Sequence, residues 1–245
     1  MLTINNITVD FGGVKAVDNV SFSFQDRELL GLIGPNGAGK TTLMKVITGT
    51  VKPTSGSVSL DKSNLNGKAP YLRIRAGIGI SQQIVHPVNS MTVLENVTFA
   101  AGHSKTDQVF LSLFKTNRAI EKEEALNLLK MVEIEDVADE KPENLPLGYI
   151  KRLELARALA LKPKLLLLDE PLAGLNQSEA ERLSNTLLKL NQQGQNIILI
   201  EHNLTEVVRI CQRLVVIDNG KKIGEGEPKT VMNNPVVRTA YLGRS

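Results

Sequence analysis

The sequence predicts an α/β protein: a buried parallel sheet with crossover helices, a strand-rich stretch ahead of it and a helix-rich stretch within it. Three observations carry that expectation. Residues 164–217 alternate wholly apolar strands with helical segments, the rhythm of a sheet covered on both faces. Residues 2–60 read instead as short strands broken by turns, and residues 95–160 are poor in strands and rich in helical periodicity. The 245 residues, 42% hydrophobic and 22% charged, suit one large domain or one domain with an insert, and exclude a disordered or collagen-like chain.

In chain order, strands are expected at 2–9, 20–24, 29–33 and 57–60. The run 41–48 is periodic as a helix, and Gly49 ends it. Residues 121–132 put Ala125, Leu128, Leu129 and Val132 on one helical face, with Glu and Lys elsewhere. The stretch 101–117, with two Phe and two Leu, is open to a helix without defined ends. A further helix follows from Ile150, with Leu153, Ala156 and Ala160 sharing its face and Lys151, Arg152 and Arg157 lying elsewhere. Strands at 165–168, 197–200 and 214–217 then alternate with helices at 179–193 and 204–210, and Asn219-Gly220 turns the last strand back into 221–223.

Several function classes are excluded or disfavoured. No apolar run approaches the roughly 18 residues needed to cross a bilayer, and Met1-Leu2-Thr3-Ile4-Asn5-Asn6 lacks the blocks of a signal peptide. The lone Cys211 has no partner for an internal disulfide, which suits a reducing compartment. A net charge of +3 is too balanced to argue for nucleic acid. His86 and His103 lack metal-ligand spacing, so zinc is not expected.

The chemistry sits in three places. Gly34-Pro35-Asn36-Gly37-Ala38-Gly39-Lys40-Thr41-Thr42 follows an apolar strand and opens a helix, the context in which this pattern cradles phosphates. Its glycines let consecutive N–H groups turn inward, the helix terminus adds partial positive charge, Lys40 faces the β- and γ-phosphates, and Thr41 offers a hydroxyl to Mg2+. Asp169-Glu170 ends the apolar run 165–168, at the sheet end that faces the same crevice. There Asp169 can hold Mg2+ through its water shell, and Glu170 can polarise a water for attack on the γ-phosphate. A second strand ends in Glu201-His202-Asn203, which brings His202 toward the same phosphate.

Together these residues resemble an ATP-binding cassette ATPase, the ATP-hydrolysing subunit of an ABC transporter, along essentially the whole chain. The resemblance implies the P-loop NTPase fold: α/β, with a RecA-like parallel core sheet, an N-terminal antiparallel β subdomain and an inserted α-helical subdomain. It implies one domain over 1–245, with 1–83 and 162–230 as the nucleotide-binding core, 84–161 as the helical part and 231–245 as a tail. Phe11, before a Gly-Gly turn, is similar to the aromatic that stacks on adenine. Gln83 resembles the glutamine that senses Mg2+ and the attacking water, with Gln82 the alternative one residue away. Residues 171–176 resemble the dimer-contact loop, His202 the switch histidine, and 83–97 part of a dock for a membrane partner.

Met91-Thr92-Val93-Leu94-Glu95-Asn96-Val97 and the ending that holds Ala240-Tyr241-Leu242-Gly243 are similar to ATPases of branched-chain amino-acid importers, a group that includes handlers of urea and other small polar solutes. The implied cofactors are ATP and Mg2+. The implied partners are transmembrane permease subunits, a second ATPase subunit and, indirectly, a solute-binding protein, with no nucleic acid. The implied location is the cytoplasmic face of the membrane, peripherally.

One departure stands out. The family's Leu-Ser-Gly-Gly-Gln signature is here Leu145-Pro146-Leu147-Gly148-Tyr149, without the serine hydroxyl and with a proline that removes an N–H. Two readings stay open: a variant compensated by Lys151, or a weakened cap on the opposite subunit's nucleotide. The second favours a heterodimer over a homodimer. A soluble cassette protein outside transport and an ATP-holding regulatory module are the rival functions. Tyr241 and Leu242 can pack under the sheet or at the dimer face, with packing preferred.

Overall fold

The computed structural model of the chain describes residues 1–61, 63–81, 87–102 and 119–242. Gln82, Gln83, His86, His103 and nearly all of the 101–117 stretch lie outside them.

Five strands precede the helix-rich region: β1 (Leu2–Phe11), β2 (Val14–Ser23), β3 (Leu29–Ile33), β4 (Ser55–Leu60) and β5 (Ser63–Asn64), followed by β6 (Ile78–Ser81). Later come β7 (Leu165–Asp169), β8 (Asn196–Ile200), β9 (Arg213–Asp218) and β10 (Lys221–Gly226). An antiparallel sheet forms in the order β2-β1-β4-β5 and a second in the order β10-β9-β3-β8-β7-β6. All neighbours in the second sheet are parallel except β10, which folds back on β9 through Asn219-Gly220.

Alternation explains why the parallel strands carry no polar face. Leu29, Leu166, Leu168, Ile197, Leu199, Leu214 and Val216 point into one core, shared with the helices. Their strand neighbours Leu30, Leu32, Leu165, Leu167, Ile198, Ile200, Val215 and Ile217 point into another, shared with the antiparallel sheet. Successive side chains leave a strand on opposite faces, so a sheet covered on both sides needs apolar residues at every position.

Three strands depart from expectation, one of them the two-residue β5, which pairs with the end of β4. The second begins at Val14 rather than at 20, because Val14 and Lys15 are exposed and owe their place to pairing with Phe11 and Asp10, which leaves no alternating pattern to read. The strand Ile78–Ser81, not anticipated, is short and contains Gly79; its register comes from β7, from Ile78 opposite Leu165 to Ser81 opposite Leu168.

Helices α1 (Lys40–Thr48), α2 (Pro70–Arg75) and α3 (Val93–Ala101) precede α4 (Ala119–Met131) and α5 (Leu147–Ala160). After β7 come α6 (Gln177–Gln192), α7 (Leu204–Ile210), α8 (Pro228–Met232) and α9 (Pro235–Leu242). Local chemistry sets several starts. Thr92 and Glu95 form a reciprocal capping box on α3, at 3.1 and 2.8 Å, and Asn176 with Glu179 does the same on α6 at 2.9 and 3.0 Å. Asn96, buried on α3, accepts from the Val88 N–H at 2.9 Å and donates to the Val88, Met91 and Thr92 carbonyls, which pins residues 88–92 to the helix.

The helix from Leu147 is less one-sided than its periodicity suggests. Lys151 and Arg152, placed off its apolar face, are buried with the rest. Arg152 is held there because its guanidinium donates to the Val132 carbonyl at 2.8 Å and meets Glu133 at 3.4 Å. Glu133 also draws Lys189 from α6, at 3.1 Å, and is kept below the usual carboxylate range chiefly by that hydrogen bond. Tyr241 packs onto the helix-side core, as preferred, whereas the side chain of Leu242 lies outside the described residues.

Candidate functional site

β3 delivers the chain to the centre of the parallel sheet, and the phosphate-loop sequence begins where it ends. Gly34 has φ 153°, and a Cβ there would run into the carbonyl oxygen of Ile217 on β9, so only glycine turns the chain at this point. Gly39, φ 106°, faces the Ala16 carbonyl of β2 just as closely. The loop between is braced from behind by Gly220, whose N–H donates to the Ala38 carbonyl at 2.9 Å. Asn36 and Gly37 are exposed, Pro35 half-buried, and Thr41 and Thr42 open α1 at the loop's exit.

Lys40 is only 5% exposed, and its ammonium donates to the carbonyls of Gly34, at 2.7 Å, and Pro35, at 3.0 Å. Burial lowers its pKa, while the nearby carboxylates of Glu170 and Asp169 act in the opposite sense. The two carboxylates predicted at the end of β7 are therefore close enough to the lysine to feel it.

β7 lies one strand away from β3, with β8 between them, so the C-terminal ends of all three open on the same side. Asp169 sits opposite Ile200. Its Oδ1 is buried and, among the described residues, has no hydrogen-bond partner; burial first, then Glu170, raises its pKa. An orphaned, buried carboxylate oxygen beside a threonine-bearing phosphate loop fits a hard divalent cation such as Mg2+, which prefers oxygen ligands.

Glu170 has φ 52°, an uncommon backbone for a side-chain-bearing residue. It is held by its own N–H to the Ile200 carbonyl at 2.9 Å and by Lys151, whose ammonium reaches the Glu170 carbonyl at 3.4 Å. That conformation carries the carboxylate toward His202, and His202 Nε2 lies 2.6 Å from Glu170 Oε1. His202, Glu170, Asp169 and Lys40 thus come together as expected from the sequence. Phe11, 57% exposed, ends β1 on the hairpin that presents Ala16 to Gly39. Gln83, expected beside Asp169 and Thr41, lies outside the described residues, as does Gln82.

One residue escaped the sequence reading. Glu201 is buried at the end of β8 and accepts from the Leu172 N–H at 2.6 Å and the His202 N–H at 3.1 Å. Burial raises its pKa, against the pull of those bonds. It joins the loop after Glu170 to the residue that bears the imidazole. The only hint was a carboxylate continuing a fully apolar strand, a place where a charge needs fixed partners.

The ABC transporter family matches residues 17–173, and the branched-chain amino acid ATP-binding cassette transporter family matches residues 221–245. The chain belongs to the ABC transporter family. It is an ATPase subunit of that family, with full-length relatives. The high-affinity branched-chain amino acid transport ATP-binding protein LivG of Salmonella typhimurium is 37% identical over 253 residues, covering 100% of this chain and 98% of LivG. Among solved structures, the ADP conformation of an ATP-binding cassette from an ABC transporter superposes with a TM-score of 0.86 at 32% identity, covering 99% and 98% of the two chains. A dimeric post-hydrolysis cassette bound to ADP and phosphate has a TM-score of 0.79 at 27% identity, covering 93% and 99%.

In this ABC cassette the altered signature opens α5. Pro146 is its N-cap and makes no side-chain capping bond, so the helix terminus presents backbone amides alone. Tyr149, which replaces the signature's glutamine, turns aside and donates its hydroxyl to Asp136 at 3.0 Å. Gly148 is packed against Glu179, whose Oε1 would lie 3.1 Å from a Cβ there. Among the described residues, no helix is long and apolar enough to cross a membrane.

Proposed function

We propose that this chain binds ATP with Mg2+ in the loop 34–42 and hydrolyses it to drive an importer of branched-chain amino acids or related small polar solutes. The observation that carries the chemistry is the 2.6 Å contact between His202 Nε2 and Glu170 Oε1, beside the half-buried Asp169 and across from Lys40. Lys40 exchanges the Gly34 and Pro35 carbonyls for β- and γ-phosphoryl oxygens as the triphosphate enters. Thr41, Asp169 and Gln83 would hold Mg2+, which supplies charge neutralisation on the phosphates when bound. Glu170 orients a water and takes its proton as the water oxygen attacks the γ-phosphorus and the bond to ADP breaks. With the proton on Nε2, His202 donates to Glu170 and keeps that carboxylate turned toward the water. Phe11 offers its ring to adenine.

The match over 221–245 and the likeness to LivG support branched-chain amino acids as the solute class. Residues 87–97, pinned by Asn96, form part of the dock for permease subunits, which place the chain at the inner membrane face. A phosphate loop without a signature from a second copy is half a site. The cap supplied by 145–149 lacks the serine hydroxyl, so the unit is best completed by a different ATPase.

Phosphate release, measured with the chain alone and then with permeases, a second cassette and solute-binding protein in vesicles, tests this. Turnover is expected to be low alone and to rise in the assembled vesicles together with leucine uptake. A tight ATP-dependent homodimer with high turnover removes the unlike partner; vesicles in which ATP consumption never supports uptake remove the importer.

A further inference from the structure

The tail that ends in α9 takes no part in the function above, yet it lies behind the phosphate loop. Tyr241 packs onto the core on the helix side of the parallel sheet. Its hydroxyl is buried and, among the described residues, makes no hydrogen bond within ordinary limits. Such groups are rare in folded proteins. This one is turned toward the backbone amide of Gly34, with Asp218 nearby at the end of β9, and burial pushes the phenol upward in pKa.

Gly34 is a junction. Its carbonyl accepts from Lys40 at 2.7 Å, and a Cβ there would run into the Ile217 carbonyl. The turn after β9 braces the loop at a second point through Gly220 and Ala38. α9 is seated on β10 by Val237, whose Cγ2 would lie 3.0 Å from a Cβ at Gly224. Tail, hairpin and loop therefore form one packed unit, with the tyrosine hydroxyl aimed at the first residue of the loop.

We propose that Tyr241 is a positioning residue for nucleotide binding: its hydroxyl accepts the Gly34 N–H once Lys40 leaves the Gly34 carbonyl for phosphate, and so fixes the first turn of the loop. The ring is anchored by packing onto that core. The proposal rests on the loop 34–42 being the nucleotide site.

Tyr241→Phe keeps the ring and removes the acceptor. ATP binding by the full chain is followed by calorimetric titration with Mg2+, thermal unfolding is recorded alongside, and phosphate release is measured in the assembled complex. The variant is expected to bind ATP about three- to tenfold more weakly, the weight of one ordinary hydrogen bond. KM for ATP should rise in step, with kcat within about twofold and the unfolding midpoint unchanged or higher, since a buried unpaired hydroxyl is gone. Tyr241→Ala should lower both the midpoint and the affinity. Unchanged affinity in Tyr241→Phe overturns the proposal. So does a loss of affinity that tracks a fall in the midpoint, since that is packing alone. Lys40→Ala serves as the reference for a lost phosphate contact. No saturable ATP uptake by the unaltered chain overturns the nucleotide reading and this proposal together.

Discussion

Glu170→Gln is expected to bind ATP and scarcely hydrolyse it. The amide keeps the volume of the carboxylate and still meets His202 Nε2, which lies 2.6 Å from Oε1 in the present structure. It cannot accept a proton from the attacking water. Removing a general base of this kind lowers turnover by roughly 10²- to 10⁴-fold. Binding should hold or tighten, because the substitution removes one negative charge that faces both Lys40 and Asp169. Phosphate release paired with an ATP titration checks both halves. Retained turnover would strip Glu170 of its role, and lost binding would mean that the carboxylate holds the loop together rather than the water.

Lys40→Ala should fail a step earlier, at uptake. The ammonium is the only cation of the loop itself, and it is buried where a charge is worth more than at the surface. Each charge-assisted bond to a phosphoryl oxygen contributes roughly 1.5–3 kcal/mol, so losing one weakens ATP binding by about ten- to 150-fold. The fold should survive, because among the described residues Lys40 donates its hydrogen bonds to carbonyls of its own loop. Equilibrium binding and thermal unfolding separate the two effects: full affinity would show that the loop amides suffice without the ammonium.

Much of this was legible in the residues. The phosphate loop, the acidic pair and His202 lie at strand ends, and their apolar strands announce themselves by composition. Strand direction then follows from the parallel rhythm, which brings the three ends to one side, whereas the strand order does not. What stayed hidden depends on partners distant in sequence. Val14 and Lys15 are strand only because β1 lies beside them. Ile78–Ser81 is strand only because β7 does. Arg152 is buried because Val132 and Glu133 receive its guanidinium, and a charge at that spacing otherwise reads as solvated. Glu201 gives no sign in sequence that it gathers the Leu172 and His202 amides. Tyr241 lies in a tail whose pattern alone left two destinations open.

β3 and β8 occupy the middle of the six-stranded sheet, buried on both faces and paired along both edges. Their amides can meet deuterium only when the whole molecule opens, so they should be the last to exchange. Gly34 and Glu201 follow directly on those strands. The groups that handle phosphate are thus rooted in the stiffest part of the protein, and any movement tied to the cycle must be carried by the segments around them.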